Sequence, residues 1–136
     1  KKKLVTASPI LAPISIGELI DKITILQIKK EKMQGSKLDN ITKELQLLEQ
    51  IIQDKDLEID LSLIANLKEV NFNLWDIEDN IRQKEGKLEF DDEFILLARS
   101  VYIQNDKRAS IKKTINYQYG SDLIEEKLWL RGQPLN

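Results

Sequence analysis

Between Ser15 and Met33 the apolar residues Ile16, Leu19, Ile20, Ile23, Ile25, Leu26 and Ile28 recur at helical spacing and cover more than half of a helix circumference. A helix of that kind has no broad side to give to water, so the pattern predicts a central element. Ser15 and Glu18 stand at capping-box spacing at its start. Gln34 and Gly35 then break the pattern, with Gly35 suited to a left-handed C-terminal conformation and Ser36 to capping the next helix. A helical hairpin is expected. In its second arm Leu38, Ile41, Leu45, Leu48 and Ile52 keep one apolar edge, as in a coiled-coil seam.

The acidic stretch from Asp54 to Asp60 lacks periodicity and reads as a connection, with Asp60 capping a third helix from Leu61 to about Glu85. Leu63, Leu67, Val70, Leu74, Ile77 and Ile81 make this the strongest periodic signal in the chain. Gly86 ends it. Asp91, Asp92 and Glu93 place negative charge at the start of a fourth helix, where the helix dipole favours it. That helix extends to about Tyr119 and stops at Gly120, and Ser121 is placed to cap a short C-terminal helix through Trp129. The expected fold is all-α: an elongated antiparallel bundle of four main helices plus the short one. The domain spans residues 15–130, with an extended arm over 1–14 and a tail over 131–136. Pro9 and Pro13 interrupt the apolar stretch after Lys1, Lys2 and Lys3, so the arm does not read as a secretory signal and a cytoplasmic protein is expected.

Charge and composition narrow the chemistry. The formal net charge of -2 gives no global field to attract nucleic acid or an anionic membrane, so neither partner is expected. Cysteine and histidine are both absent, which excludes disulfides, thiol nucleophiles, Ser-His-Asp catalysis and the usual zinc sites. Chemistry, if any, must use Asp, Glu, Lys, Arg, Tyr or a hydroxyl, and no cofactor or metal is expected. The pairs Glu18/Asp21 and Asp76/Asp79 have a spacing at which carboxylates share a helix face and bind magnesium, but such spacing is common by chance.

One polar constellation needs explaining. The core positions of the fourth helix, read on the heptad rule, are Phe94, Ala98, Val101, Asn105, Arg108, Lys112, Ile115 and Tyr119, so its apolar stripe is interrupted by three polar residues. Burying Arg or Lys without partners costs several kcal/mol, so such a layer must be paired, solvent-lined or occupied by a ligand. On the third helix a second stripe of Asn71, Trp75, Glu78, Arg82 and Glu85 runs beside the apolar edge and offers carboxylates. The expected site therefore comprises Trp75, Glu78, Arg82, Arg99, Tyr102, Asn105, Arg108 and Lys112 around one cavity. Two plainer readings stand beside it. Glu78, Arg82 and Glu85 fit a solvated face with intrahelical pairs. The fourth helix either projects past the bundle or carries its true stripe through Leu97, Ile111 and Ile115.

Three segments resemble a small bacterial and phage family known only as domain of unknown function 6165: Ile16-Gly17-Glu18-Leu19-Ile20-Asp21-Lys22-Ile23-Thr24-Ile25-Leu26, Leu74-Trp75-Asp76-Ile77-Glu78-Asp79, and Leu97-Ala98-Arg99-Ser100-Val101-Tyr102 with Asn105-Asp106 and Arg108-Ala109. The resemblance implies one domain and brings no activity, substrate or cofactor. Ile20-Asp21 and Ile23 are also similar to the first helix of the helical chorismate mutases, but Gly17 stands where that family has an arginine, so its activity is not carried over.

The leading functional expectation is an assembly module that binds a copy of itself, most simply as a dimer, or a partner protein. It rests on the wide apolar surface of the first helix and on the unassigned Leu128, Trp129 and Leu130. The alternative, enzymatic or not, is a site for a small anionic metabolite, phosphorylated or carboxylated. Convergence of the eight site residues in a concave pocket, rather than over convex faces, discriminates the two.

Overall fold

A computed structural model of the chain describes residues 8–127. Among them are four α-helices and no strand: α1 (Ile16–Lys32), α2 (Ser36–Asp54), α3 (Leu61–Gly86) and α4 (Asp92–Gln118). None is long and apolar enough to cross a membrane.

The caps follow local chemistry, with two departures. Ser15 Oγ accepts from the Glu18 N–H at 3.0 Å, Asp60 Oδ1 from the Ser62 N–H at 2.8 Å, and Asp91 Oδ1 from the Phe94 N–H at 3.0 Å. The hydrogen bonds from Ser62 hold the Asp60 carboxyl below the usual carboxylate range. At the start of α2, Gly35 rather than Ser36 is the cap residue. It takes a positive φ of 66° and offers no side-chain cap. The expected helix after Gly120 does not begin at Ser121: residues 121–127 have no helical structure, and Leu128 to Trp129 lie outside the described residues. The reason is a competing bond. Ser121 Oγ accepts from the Ile16 N–H at 3.0 Å and donates to the Leu123 carbonyl at 2.7 Å, so it caps α1 instead of a following helix.

The helix directions follow from which ends meet. Lys84 near the end of α3 donates to Asp91 at the start of α4 (2.9 Å), and the Tyr119 hydroxyl just after α4 accepts from the Asp60 N–H just before α3 at 2.7 Å. α3 and α4 are therefore an antiparallel hairpin. α1 pairs residues 17–21 with residues 108–116 in reverse order, antiparallel to α4, and turns back through Gln34 and Gly35 into α2.

α1 touches all three other helices, whereas α2 packs on α1 alone. Its wide apolar girth is explained by two cores on neighbouring faces, which share Ile52 and Leu57 at their border. Leu19, Ile23 and Leu26 meet Leu45, Ile41 and Leu48 of α2. Ile20 meets Ile59, Leu67 of α3 and Ile115 of α4, with Ile64 and Ile111 packed against them. At about 25 cal/mol per Å² of apolar surface, such burial is the main favourable term in the fold. The surplus apolar surface that the sequence assigns to α1 is thus absorbed within the chain and leaves no exposed α1 face to motivate a dimer.

Candidate functional site

Between the second core and solvent, α1 presents a stripe of Gly17, Asp21, Thr24 and Ile28 at steps of four, three and four, all of them buried. Asp21 is 0% exposed and Thr24 likewise. A buried carboxylate in an isoleucine-rich helix survives only with partners. Arg108 of α4 supplies two bonds, donating from Nε to Asp21 Oδ1 at 2.9 Å and from Nη2 to Asp21 Oδ2. This is the forked geometry in which arginine holds a carboxylate best. The bond to Asp21 keeps the Arg108 guanidinium charged above even its usual range, against the opposing effect of burial.

Asn71 of α3 completes the shell. Its Nδ2 donates to Asp21 Oδ1 and to Thr24 Oγ1, both at 2.9 Å, while Thr24 Oγ1 donates to the Asp21 carbonyl at 2.8 Å. One turn toward the helix start, Lys112 Nζ donates to Glu18 Oε1 at 2.5 Å and stands 4.0 Å from Asp21 Oδ2. The Glu18 of the expected capping box thus faces a cation across the bundle. Further on, Asn116 Oδ1 accepts from the Gly17 N–H at 2.6 Å.

Beside this shell lies a cleft of about 490 Å³ bounded by α1, α3 and α4. Asn71 and Arg108, which meet at Asp21, lie at its buried end, and Asn105 lies one turn away on α4; Ile25, Ile28, Leu74 and Trp75 add walls, and the exposed Glu78, Asp79 and Arg82 follow two to three turns beyond Asn71 on α3. Inner polar capacity is left over. Asn71 is 6% exposed and both protons of its amide nitrogen go to α1, which leaves Oδ1 without a protein partner. Arg108 Nη1 and the Asn105 side chain likewise make no hydrogen bond among the described residues. No group of three or more acidic residues suited to a metal ion occurs among those residues, and Glu18 and Asp21 are engaged by Lys112 and Arg108.

A family model for a family of unknown function, DUF6165, matches residues 10–132. The chain belongs to that family. No curated protein and no solved structure matches it significantly. The match spans all four helices of this DUF6165 chain, so the α1 stripe and the cleft both lie inside the family domain.

Of the eight residues singled out in the sequence, the DUF6165 fold brings Trp75, Glu78, Arg82, Asn105 and Arg108 to one cleft. Tyr102 and Lys112 line a neighbouring depression that shares Asn105 and Arg108 with it. Arg99 is exposed on the outer face of α4 and joins neither. Glu78 makes no ion pair with the cations of α4. It pairs with Arg82 on its own helix at 3.4 Å, an exposed contact of the intrahelical kind. The counter-charges come from Glu18 and Asp21 of α1, which removes the excess of positive charge that motivates an anionic ligand. The heptad reading of α4 carries the right information: Asn105, Arg108 and Lys112 are turned inward and partly buried, and the plainer stripe is also real in that Ile111 and Ile115 enter the core. Asp21, Thr24, Asn71 and Asn116 are not among those eight. The available signal for Asp21 and Thr24 is a polar residue set at core spacing in the most apolar helix of the chain, and for Asn71 its place at the head of the polar stripe on the third helix.

Proposed function

We propose that this DUF6165 chain binds a small molecule in the cleft among α1, α3 and α4. One observation carries the reading: unpartnered polar groups of Asn71, Asn105 and Arg108 line a concave, apolar-walled space of the size that small ligands fill. A ligand group that bonds several of these polar groups at once gains both hydrogen bonds and apolar contact. The shell behind the cleft is suited to hold those groups still, because Arg108 is anchored to a fully buried carboxylate by two bonds.

The test is a fragment screen read by amide chemical shifts. Fragments should move the resonances of Ile25, Ile28, Leu74, Trp75 and Asn105 together. Asn105→Leu should weaken those fragments about tenfold, the worth of one hydrogen bond of about 1.4 kcal/mol, with little change in the melting temperature of the free protein, since Asn105 bonds nothing in the fold. A broad screen in which no fragment moves the cleft resonances would dispose of the reading.

A second reading, self-assembly, is favoured by a different feature. Ile95 and Tyr102, and Leu96 and Ile103, are paired at heptad spacing on the outward face of α4, and all four are exposed, Leu96 by 60%. Phe90 and Leu88, in the connection before α4, are exposed as well. Light scattering at high protein concentration should then give a dimer mass that Leu96→Glu reduces to a monomer. A parent chain that is monomeric throughout retires the self-assembly reading and leaves the cleft reading untouched.

A further inference from the structure

Between Asp76 and Ile103 no residue is buried, because there α3 and α4 pack on each other beyond both apolar cores. The large apolar side chains left exposed at this end are Leu88, Phe90, Ile95, Leu96, Tyr102 and Ile103. The nearest others along the chain are Phe72 and Tyr117, so the exposed stretch has definite ends. Its midpoint falls between Ile95 and Leu96.

Charge is distributed unevenly along the same stretch. Arg99 is the one cation between Leu88 and Ile103, and the acids Glu89, Asp91, Asp92 and Glu93 all precede Ile95. Asp91 is held by Lys84, and Glu93 stands 3.8 Å from the same lysine, whereas neither Asp92 nor Arg99 forms an ion pair among the described residues. Asp92, Leu96, Arg99 and Ile103 follow one another at steps of four, three and four, so they share one strip of α4, and all four are exposed. Two such strips laid parallel set acid on acid. Laid antiparallel, each brings its acidic end to the arginine of the other.

In an antiparallel pair related by a two-fold axis, the same patch on both copies is self-complementary, and residues equally far from the axis on either side face one another. An axis between Ile95 and Leu96, the midpoint of the apolar stretch, sets Asp92 of each copy against Arg99 of the other, about 5 Å along the helix to either side. It also brings Leu88 level with Ile103. An axis at Arg99 pairs the helical apolar residues as well, but it places two unpaired cations together, and like charges so placed oppose association. An axis nearer Tyr102 reaches Asp106, which Lys127 already holds.

Resting on the reading of the outward α4 face as a self-assembly surface, we propose that two copies of this chain pair there through antiparallel α4 helices, with the two-fold axis between Ile95 and Leu96 and an Asp92–Arg99 ion pair on each side of it.

The experiment measures the dimer dissociation constant of the full chain by analytical ultracentrifugation for the parent, for Arg99→Asp, for Asp92→Arg, and for an equimolar mixture of the two variants. Both positions are exposed and their side chains bond nothing in the fold, so both variants keep it. Each variant alone sets like charges against each other twice and should weaken the dimer at least about tenfold. The mixture should return to within about threefold of the parent, since one chain then offers two acids to the two arginines of the other. A dimeric parent whose variant at either position associates equally well, or variants that associate no better mixed than apart, overturns this register and leaves the self-assembly reading standing. A parent that is monomeric at every concentration gives the face to a different protein and overturns both.

Discussion

Arg108→Ala lowers the stability of the domain by about 3–5 kcal/mol, measured by chemical denaturation, because it leaves the carboxylate of Asp21 buried with its charge uncompensated. Asp21 is 0% exposed, and the remaining donors around it are one Asn71 amide and the more distant Lys112. Arg108→Lys should fall between parent and alanine variant, since an ammonium cannot make the two parallel bonds. The decisive comparison is the double variant Asp21→Leu with Arg108→Met. Removing both charges together should recover most of the loss, as replacing a buried pair by apolar groups of similar volume is often neutral or stabilising. An Arg108→Ala protein as stable as the parent would mean that Asp21 does not depend on Arg108 for its charge balance.

Gly17→Ala reverses the expectation from helix propensity. In an unpacked helix the change adds about 1 kcal/mol of stability. Here a Cβ on residue 17 would stand 2.5 Å from the carbonyl oxygen of Lys112 and 2.9 Å from Asn116 Oδ1. The first of these is backbone and cannot swing aside. α1 must then move off α4, which lengthens the 2.6 Å bond from the Gly17 N–H to Asn116 and leaves Oδ1 of that 1%-exposed side chain without its partner. Overpacking and the lost buried bond together should cost about 2–5 kcal/mol in thermal or chemical unfolding. Substituting Gly86 by alanine is the control, as nothing lies within 4 Å of a Cβ there. A stabilised Gly17→Ala protein would show that α1 does not dock on α4 this closely.

Both substitutions act on groups whose importance is only half legible along the chain. The four helices were legible because their causes are local: apolar steps of three and four, Asp60 and Asp91 as caps, and glycines at the breaks. Even the inward turn of Asn105, Arg108 and Lys112 follows from their place on the stripe shared with Ile115. Their counter-charges were not legible, because two helices compete for the same inner face of α4. Glu78 on α3 has the right charge but lies two turns beyond Asn71, the α3 residue level with Arg108, so it meets Arg82 and water. Glu18 and Asp21, nearly ninety residues earlier in the chain, stand level with Lys112 and Arg108.

The sequence by itself determined the all-helical class, the bounds of the four helices within a residue or two and the central place of α1. The tertiary structure decided which carboxylates neutralise Arg108 and Lys112, that Ser121 caps α1 rather than a helix of its own, and that α1 buries its apolar surface in two internal cores. The division has a physical reason. Periodicity, capping and turn chemistry depend on neighbours a few residues apart, whereas ion-pair choice depends on how antiparallel helices align side by side. That alignment is set by Gly17 allowing backbone contact with α4 and by Leu67 and Ile115 fixing the depth of packing, contacts between residues some fifty to a hundred positions apart.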